Sequence, residues 1–272
     1  MAGNPAFVQT RFGSQGNYEV VVPLVTGGLA HFWRDNDNPA LPWIGPTAFG
    51  VELGQVDAVA LVHSTFGIPG NLDIVARVGD QLFHLWRDPG PEFAWSVPAL
   101  LFAGASGVPG FIQSRYGAAG NFDLVTLLAV GGMAHLWQDN DDPGFPWSGP
   151  TVFGQSEGQV EAVALVHSAY GTPGAGNLEV AARIAGRIAH YYRDDQPPQH
   201  WFGPTSFAGD EPQYDPTATG EWRVPFASGV VGVHAALLHT GQVLFFSYEE
   251  HAGQVHGEAS VLDPASGLLY KT

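Results

Sequence analysis

Four histidines recur along the chain in the same local setting, each two residues before an aromatic side chain and four residues before an aspartate. They lie in the segments LAHFWRD (29–35), LFHLWRD (82–88), MAHLWQD (133–139) and IAHYYRD (188–194). Because imidazole binds iron, copper and zinc, one hypothesis is a metal ring built from His31, His84, His135 and His190. The alternative, which we favour, is that these histidines pack between repeated units with their ring nitrogens bonded to the backbone.

The aromatic residues and aspartates of these segments could also form sugar-binding sites. A sugar has an apolar C–H face surrounded by hydroxyl groups, so its site needs an aromatic platform beside short polar side chains. A second tryptophan follows each segment after a proline-rich loop, in phrases such as PWIGPTAFG and PWSGPTVFG. The predicted ligand-binding residues are therefore Trp33, Asp35, Trp43, Trp86, Asp88, Trp95, Trp137, Asp139, Trp147, Tyr192, Asp194 and Trp201.

Two acidic loops could hold calcium through their oxygen atoms. They read DNDNPALP (35–42) and DNDDPGFP (139–146), but they lack the distal glutamate of an EF-hand, and the first also lacks its glycine. Asp and Asn also favour tight turns through their own side chains, and we prefer that interpretation. No cofactor is therefore predicted, with calcium in these loops as the alternative.

The histidine segments belong to a unit of about 50 residues that occurs four times. Each unit contains a Gly-Asn pair, at Asn17, Asn71, Asn121 and Asn177, and then a valine-rich run, the histidine segment and the proline-rich loop. These short β-type runs, separated by turn residues, indicate four strands in each unit. Such a unit is typical of a blade in a β-propeller. We expect the valine-rich run after Gly-Asn to be the innermost strand of its blade.

The predicted fold is therefore all-β, a single β-propeller domain over residues 1–272 with five four-stranded blades. The repeat units span about 14–67, 68–117, 118–171 and 172–220. An atypical closing blade covers 221–272, and the N-terminal segment 5–13 is expected to complete it and close the ring.

Composition limits the partners. The formal net charge of −16 disfavours nucleic acid and anionic lipid, because phosphate binding needs clustered Lys and Arg. The chain has no cysteine, which excludes disulfides and thiolate chemistry. No signal peptide or membrane span is recognisable, so we expect a soluble protein without membrane insertion, cytoplasmic or exported by a non-classical route, with an oligomer as an option.

The motif order GN-x-[E/D]-V, G-x-L-x-H-x-W and W-x-G-P resembles the blades of bacterial sugar-binding β-propeller lectins of the tectonin-like and fucose-lectin kind, over about residues 5–209. This resemblance implies a propeller that binds glycans. The segment VHAALLHTGQVLFFS with HGEASVLDPASG is similar to the first kelch blade of galactose-oxidase-like proteins. The copper-radical chemistry of that family requires a cysteine, so only the fold is carried over.

The leading functional hypothesis is a multivalent carbohydrate-binding protein without catalysis. An enzyme is the main alternative, metal-dependent or acting on glycosides, with its active site at the propeller axis. Its candidate groups are Glu19, Asp73, Asp123 and Glu179, together with Glu249, Glu250, His251, His256 and Glu258 in the tail. A protein-interaction scaffold is the third possibility.

Overall fold

The computed structural model describes residues 1, 3–88, 94–172, 175–208, 234–238, 240–251, 254–263, 266 and 268–271. Side chains of 208, 234–237, 246–258 and 271 are outside this description. Regular structure is almost entirely β, with two single-turn 3₁₀ helices at Val51–Leu53 and Gln155–Glu157. The strands are β1 Ala6–Gln9, β2 Tyr18–Pro23, β3 Leu29–Arg34, β4 Trp43–Phe49, β5 Ala58–His63, β6 Leu72–Val78, β7 Gln81–Arg87, β8 Ala99–Ala103, β9 Ala105–Gln113, β10 Phe122–Leu128, β11 Met133–Gln138, β12 Trp147–Phe153, β13 Val160–His167, β14 Leu178–Ile184, β15 Arg187–Arg193, β16 Trp201–Ala208, β17 His234–Leu237, β18 Val243–His251, β19 Gln254–Asp263 and β20 Leu268–Lys271.

The chain forms two compact units, residues 1–212 and 213–272. In the first unit, consecutive strands pair antiparallel in four sheets of four strands: β1–β4 (first sheet), β5–β8 (second sheet), β9–β12 (third sheet) and β13–β16 (fourth sheet). This arrangement follows from the sequence, because β-branched and aromatic runs alternate with Gly, Asn and Pro turns. The predicted all-β fold of four-stranded antiparallel sheets is confirmed.

The hydrophobic core of the first unit lies between adjacent sheets. One cluster joins Val21 and Leu29 of the first sheet to Ile74 and Leu85 of the second. Equivalent clusters join the second sheet to the third and the third to the fourth. Each sheet is therefore stabilised by its neighbours as well as by its own hydrogen bonds, as expected for stacked blades.

The strand that we expected to be innermost is a different one. The first strands of the sheets lie next to one another: β5 contacts both β1 and β9, and β9 contacts β13. The valine-rich run after Gly-Asn is instead the second strand of each sheet, for example β2 and β6. The expectation was wrong because composition identifies a buried strand but does not indicate its order from the axis.

The predicted repeat boundaries and the N-terminal closure are also wrong. The run that we placed fourth in each unit begins the next sheet, so β5 pairs with β6 and β13 pairs with β14. Likewise, β1 pairs with β2 of the first sheet and completes that sheet, not the C-terminal one. A blade built from four consecutive strands is favoured, because short hairpins connect the strands at a small cost in chain entropy.

The second unit contains one antiparallel sheet in the order β17–β18–β19–β20. We expected three strands here, and the fourth is Leu268–Lys271. The C-terminal segment thus supplies four strands by itself, which is why it does not need the N-terminal segment in its sheet. Its role as a fifth blade and its kelch-like character remain predictions.

The Gly-Asn pair fixes the turn between the first and second strands of each sheet in the first unit. Gly120 has a φ of +77°, and a β-carbon there would lie 2.6 Å from the carbonyl oxygen of Ser114. The next residue, Asn121, accepts a hydrogen bond at Oδ1 from the backbone N–H of Asn140 at 3.1 Å. A β-carbon added at Gly16, Gly70 or Gly176 would lie even closer to the corresponding carbonyl oxygen. The backbone conformation of the turn therefore requires the Gly-Asn motif.

We therefore expect Gly120→Ala to lower the free energy of unfolding by about 2–4 kcal/mol, because it combines left-handed strain with a clash against backbone. Urea unfolding monitored by tryptophan fluorescence measures this loss. Gly158→Ala is the matched control: its φ is also positive, at +80°, but no atom lies within 4 Å of the added carbon. Equal losses in the two variants would contradict the role assigned to the close approach.

Within the described part of the chain, no helix has the length and apolar character needed to cross a membrane.

Candidate functional site

A histidine–carboxylate pair occurs in each sheet of the first unit, and the pairs of the first three sheets are buried. Nε2 of His31 lies 2.6 Å from Glu19, and Nε2 of His135 lies 2.8 Å from Asp123. The other two pairs are His84–Asp73 at 3.1 Å and His190–Glu179 at 2.7 Å. In each pair the carboxylate is on the second strand and the histidine on the third. We expected the imidazoles to bond to the backbone, and that expectation was wrong because the neighbouring strand places an acidic side chain within reach.

The hydrogen bonds around His31 identify which ring nitrogen carries the proton. The guanidinium of Arg87, from the second sheet, lies with Nη1 3.3 Å from Nδ1 of His31. Because a guanidinium only donates, Nδ1 accepts, and Nε2–H donates to the carboxylate of Glu19. Burial lowers the pKa of Arg87 from its usual value, and the charge of Glu19 opposes that shift. A polar chain of Arg, His and Glu thus crosses from one sheet to the next.

The first cleft lies between the first and second sheets and has a volume of about 560 Å³. The first sheet contributes Glu19, His31 and Trp33, which share one face because Glu19 pairs with Trp33 across the strands. The second sheet contributes Arg87 and Trp95. The cleft therefore combines a carboxylate acceptor, a guanidinium donor and two indoles.

The second cleft, of about 240 Å³, lies between the second and third sheets. Asp73, His84 and Trp86 line it from the second sheet, in the positions that Glu19, His31 and Trp33 hold in the first cleft. Gln138 occupies the position of Arg87. The remaining lining residues are Phe66, Asn71, Phe122 and Phe145. This cleft has the same arrangement of carboxylate, histidine and tryptophan, but no arginine is among its described lining residues.

The third cleft lies between the third and fourth sheets and has two adjoining lobes of about 260 and 450 Å³. Asp123 and Tyr116 line the smaller lobe, His135 and Trp201 line the larger, and Trp137 and Arg193 line both. Arg193 lies 5.7 Å above the ring centre of Tyr116. Burial raises the pKa of Tyr116 to about 12, so its hydroxyl stays protonated and donates to the carbonyl of Gly176 at 2.8 Å.

Some of the aromatic residues predicted to bind ligand line these clefts, and others lie elsewhere. Trp33 and Trp95 line the first cleft, Trp86 the second, and Trp137 and Trp201 the third. Other predicted rings lie outside the lining: Trp147 packs edge-on against His84, Trp43 is half exposed near Arg34, and Tyr192 stacks on Phe202. The clefts thus include the first tryptophans of three sheets and two of the second tryptophans.

The predicted aspartates do not line these clefts. Asp35 accepts a hydrogen bond from the backbone N–H of Asp37, and Asp139 does the same for Asp141. Asp194 equally accepts from the N–H of Gln196. Asp88 is exposed. Three of the four are therefore turn residues, and the carboxylates that do line the clefts are Glu19, Asp73 and Asp123, which we had considered only for the enzyme alternative.

The loops considered for calcium use their carboxylates within the protein. Asp37 accepts hydrogen bonds from the backbone N–H groups of Ser14 and Gln15 at 2.7 and 2.9 Å. These bonds, led by that from Ser14, lower the pKa of Asp37. Asp141 binds the N–H groups of Ala118 and Ala119 in the same way. Among the described residues, no three His, Asp or Glu side chains are grouped so as to hold a metal ion. The four histidines of the predicted ring each face their own carboxylate instead.

His63 joins the first two sheets and is sensitive to acid. Its Nδ1 accepts a hydrogen bond from the backbone N–H of Arg11 at 3.3 Å, and its buried Nε2 has no hydrogen-bond partner within the described part of the chain. Burial, and then the charge of Arg11, lower its pKa to about 4. Because the folded pKa lies below that of the unfolded chain, the unfolded state takes up the proton first as the pH falls. The stability is complete above the usual pKa of 6.5 and is lost progressively towards pH 4.

We expect His63→Gln to reduce the loss of stability between pH 7 and 4.5 by about 1–2 kcal/mol, a value discounted for the partial burial of the ring. Urea unfolding of both proteins at the two pH values provides the measurement. An unchanged pH dependence in the variant would contradict this assignment.

The chain is similar in fold to solved β-propeller lectins. The BP39L lectin from Burkholderia pseudomallei matches with a TM-score of 0.57 and 21% identity, over 76% of this chain and 56% of that chain. The Aleuria aurantia lectin, in complex with α-methyl-L-fucoside, matches with a TM-score of 0.53 and 13% identity, over 78% of this chain and 64% of that chain. At these identities the likeness establishes the fold alone, and this chain spans less than two thirds of either lectin. No protein-family model matches the chain. No curated protein matches it either.

Proposed function

We propose that the protein binds carbohydrate in the clefts between adjacent sheets, with the first and third clefts as its sites. The observation that carries this proposal is the repeated convergence of a carboxylate, an arginine and two indoles from neighbouring sheets. The carboxylate accepts hydrogen bonds from sugar hydroxyls, the guanidinium donates to sugar oxygens, and an indole face covers the apolar C–H surface. The complex of the Aleuria aurantia lectin, a protein of similar fold, with α-methyl-L-fucoside is consistent with this assignment.

The clefts favour binding over hydrolysis. Hydrolysis of a glycosidic bond commonly uses two carboxyl groups on either side of the bond. Among the described lining residues, the first cleft has one carboxylate, Glu19, and the third has one, Asp123. Each is hydrogen bonded to a histidine of its own sheet. Two similar sites on one chain would raise the avidity for a glycan surface even if a single site binds weakly.

The test begins with a glycan array, run with calcium and with a chelator, and continues with titration calorimetry of the best monosaccharide. We expect binding to a defined terminal sugar, unaffected by the chelator because Asp37 and Asp141 bond to backbone. Incubation with chromogenic glycosides tests the enzyme alternative in parallel. A blank array together with no calorimetric signal for any monosaccharide would contradict the proposal and favour the scaffold.

Tryptophan substitutions then locate the sites. Trp33→Ala and Trp137→Ala are expected to weaken sugar binding at least tenfold in the first and third clefts, because a stacked aromatic surface is lost. Tyr170→Ala removes an aromatic ring that is 79% exposed and lines none of the three clefts, so it is the control. Full binding by the double tryptophan variant would place the sugar elsewhere.

A further inference from the structure

A continuous series of aromatic rings lines the second cleft. Trp86 lies 5.8 Å from His84, which lies 5.9 Å from Phe122, measured between ring centres. Phe122 lies 5.7 Å from Phe66, and Phe66 lies 5.5 Å from Phe145. The planes of Phe66 and Phe145 are nearly perpendicular, at 88°. All five rings line the cleft, and they form its walls.

The charge in this cleft differs from that in its two neighbours. Arg87 and Arg193 line the first and third clefts, but the equivalent residue here is Gln138, whose amide donates to the carbonyl of Phe145 at 2.9 Å. No lysine or arginine is among the described lining residues, and Asp73 is the carboxylate. The side chain of Asp73 is 3% exposed.

Two acceptors at the second cleft have no donor among the described residues. His84 bonds to Oδ1 of Asp73, and Oδ2 of Asp73 is buried with no hydrogen-bond partner in this part of the chain. The same holds for Oδ1 of Asn71, which lines the same cleft. Buried acceptors are usually paired, so a ligand that brings positive charge or donors would complement this cleft.

We propose that the second cleft binds an organic ammonium ion. Aromatic rings attract a cation through their faces, and this attraction strengthens when the cation is removed from water. The carboxylate of Asp73 supplies the opposite charge, and the volume of about 240 Å³ suits a small alkylammonium group. Oδ2 of Asp123 also lacks a partner, but Arg193 lines that third cleft and repels a cation. The assignment does not depend on sugar binding in the first and third clefts.

Titration calorimetry with choline, ethanolammonium and 3,3-dimethylbutan-1-ol tests the proposal. The alcohol has the shape of choline without its charge. We expect both cations to bind, and the alcohol to bind at least tenfold more weakly because it lacks the cation–aromatic attraction. A shift of the Trp86 indole N–H resonance, assigned with a Trp86→Phe variant, locates the bound ion. Equal binding of choline and the alcohol would overturn the proposal, as would binding of neither cation.

Gln138→Arg is the decisive variant. The protein itself has arginine at this position in the first, second and fourth sheets, so we expect the variant to fold, as judged by urea unfolding. The added charge should abolish binding of choline and ethanolammonium while sugar binding in the first cleft is unchanged. Tyr170→Ala should leave the affinity for both cations unchanged. Undiminished cation binding by folded Gln138→Arg would contradict the assignment of the second cleft.

The two proposals can fail separately. If neither ammonium ion binds but the glycan array is positive, only the proposal for the second cleft fails. If the array is blank but choline still binds at Trp86, only the carbohydrate proposal fails.

Discussion

Replacing His135 by leucine is expected to lower the free energy of unfolding by about 3–5 kcal/mol, as typically found when a buried charge loses its hydrogen-bonded partner. Both side chains of the His135–Asp123 pair are 1% exposed, so leucine would leave the carboxylate buried without its donor. Leucine fills much of the space of the imidazole, which limits any contribution from a cavity. Urea unfolding at neutral pH measures the effect.

The fourth sheet provides the control for this prediction. His190 has the same place in its sheet and bonds to Glu179, but its side chain is 40% exposed. We expect His190→Leu to cost less than about 1 kcal/mol, because solvent screens an exposed pair and hydrates the remaining carboxylate. Adding Asp123→Asn to His135→Leu should recover part of the lost stability, since it removes the unpaired charge. Similar costs for the two histidines would contradict the importance of burial.

Arg87→Leu is expected to weaken sugar binding in the first cleft by about tenfold or more, because a hydrogen bond from a charged donor is worth about 1.5–3 kcal/mol. Arg87 lines that cleft beside Glu19 and reaches His31 from the neighbouring sheet. Titration calorimetry should show one site lost while the third cleft retains its affinity.

Arg34→Leu is the matched control for Arg87→Leu. Arg34 follows the tryptophan of the first sheet in the same way, but its guanidinium lies 4.4 Å above the ring of Tyr18 and bonds to Asn36. It lines none of the three clefts, so we expect less than a twofold change in affinity. Equal losses in the two variants would place the sugar away from the first cleft.

Together these variants separate two consequences of the same repeat. In the first three sheets the buried histidine–carboxylate pair stabilises the fold, and the same pair lines a cleft beside the tryptophans and the arginine or glutamine of the next sheet. The difference between Gln138 and Arg87 then allows adjacent clefts, built on one frame, to differ in charge. Ligand preference can therefore change from cleft to cleft without a change in the fold.

Local patterns in the sequence were sufficient to predict the strands, the four-stranded sheets and the turns. The valine-rich runs and histidine segments form strands because their residue types suit a pleated, buried surface. The Gly-Asn pairs and the Asp-rich loops form turns because of their backbone and side-chain chemistry, which acts over a few residues. The tryptophans of the clefts could be found in the same way, because repetition drew attention to them.

The aspartates of the histidine segments were assigned to ligand binding, but Asp35, Asp139 and Asp194 are turn residues. Glu19, Asp73 and Asp123 were visible in the sequence, yet nothing local connected them to the histidines. Their pairing depends on the register between the second and third strands, for example Glu19 opposite Trp33. Register is fixed by packing against the next sheet, which a single segment does not reveal.

The sequence by itself determined the size of the repeat, the number of strands in a sheet and the turns that contain Gly-Asn, because each depends on residues close together in the chain. Only the tertiary structure decided where each sheet begins, which edge β1 completes and which side chains meet in a cleft. A periodic sequence can be divided at any point with equal regularity. Hydrogen bonding between particular strands, and contact between neighbouring sheets, select one division and bring Arg87 to His31.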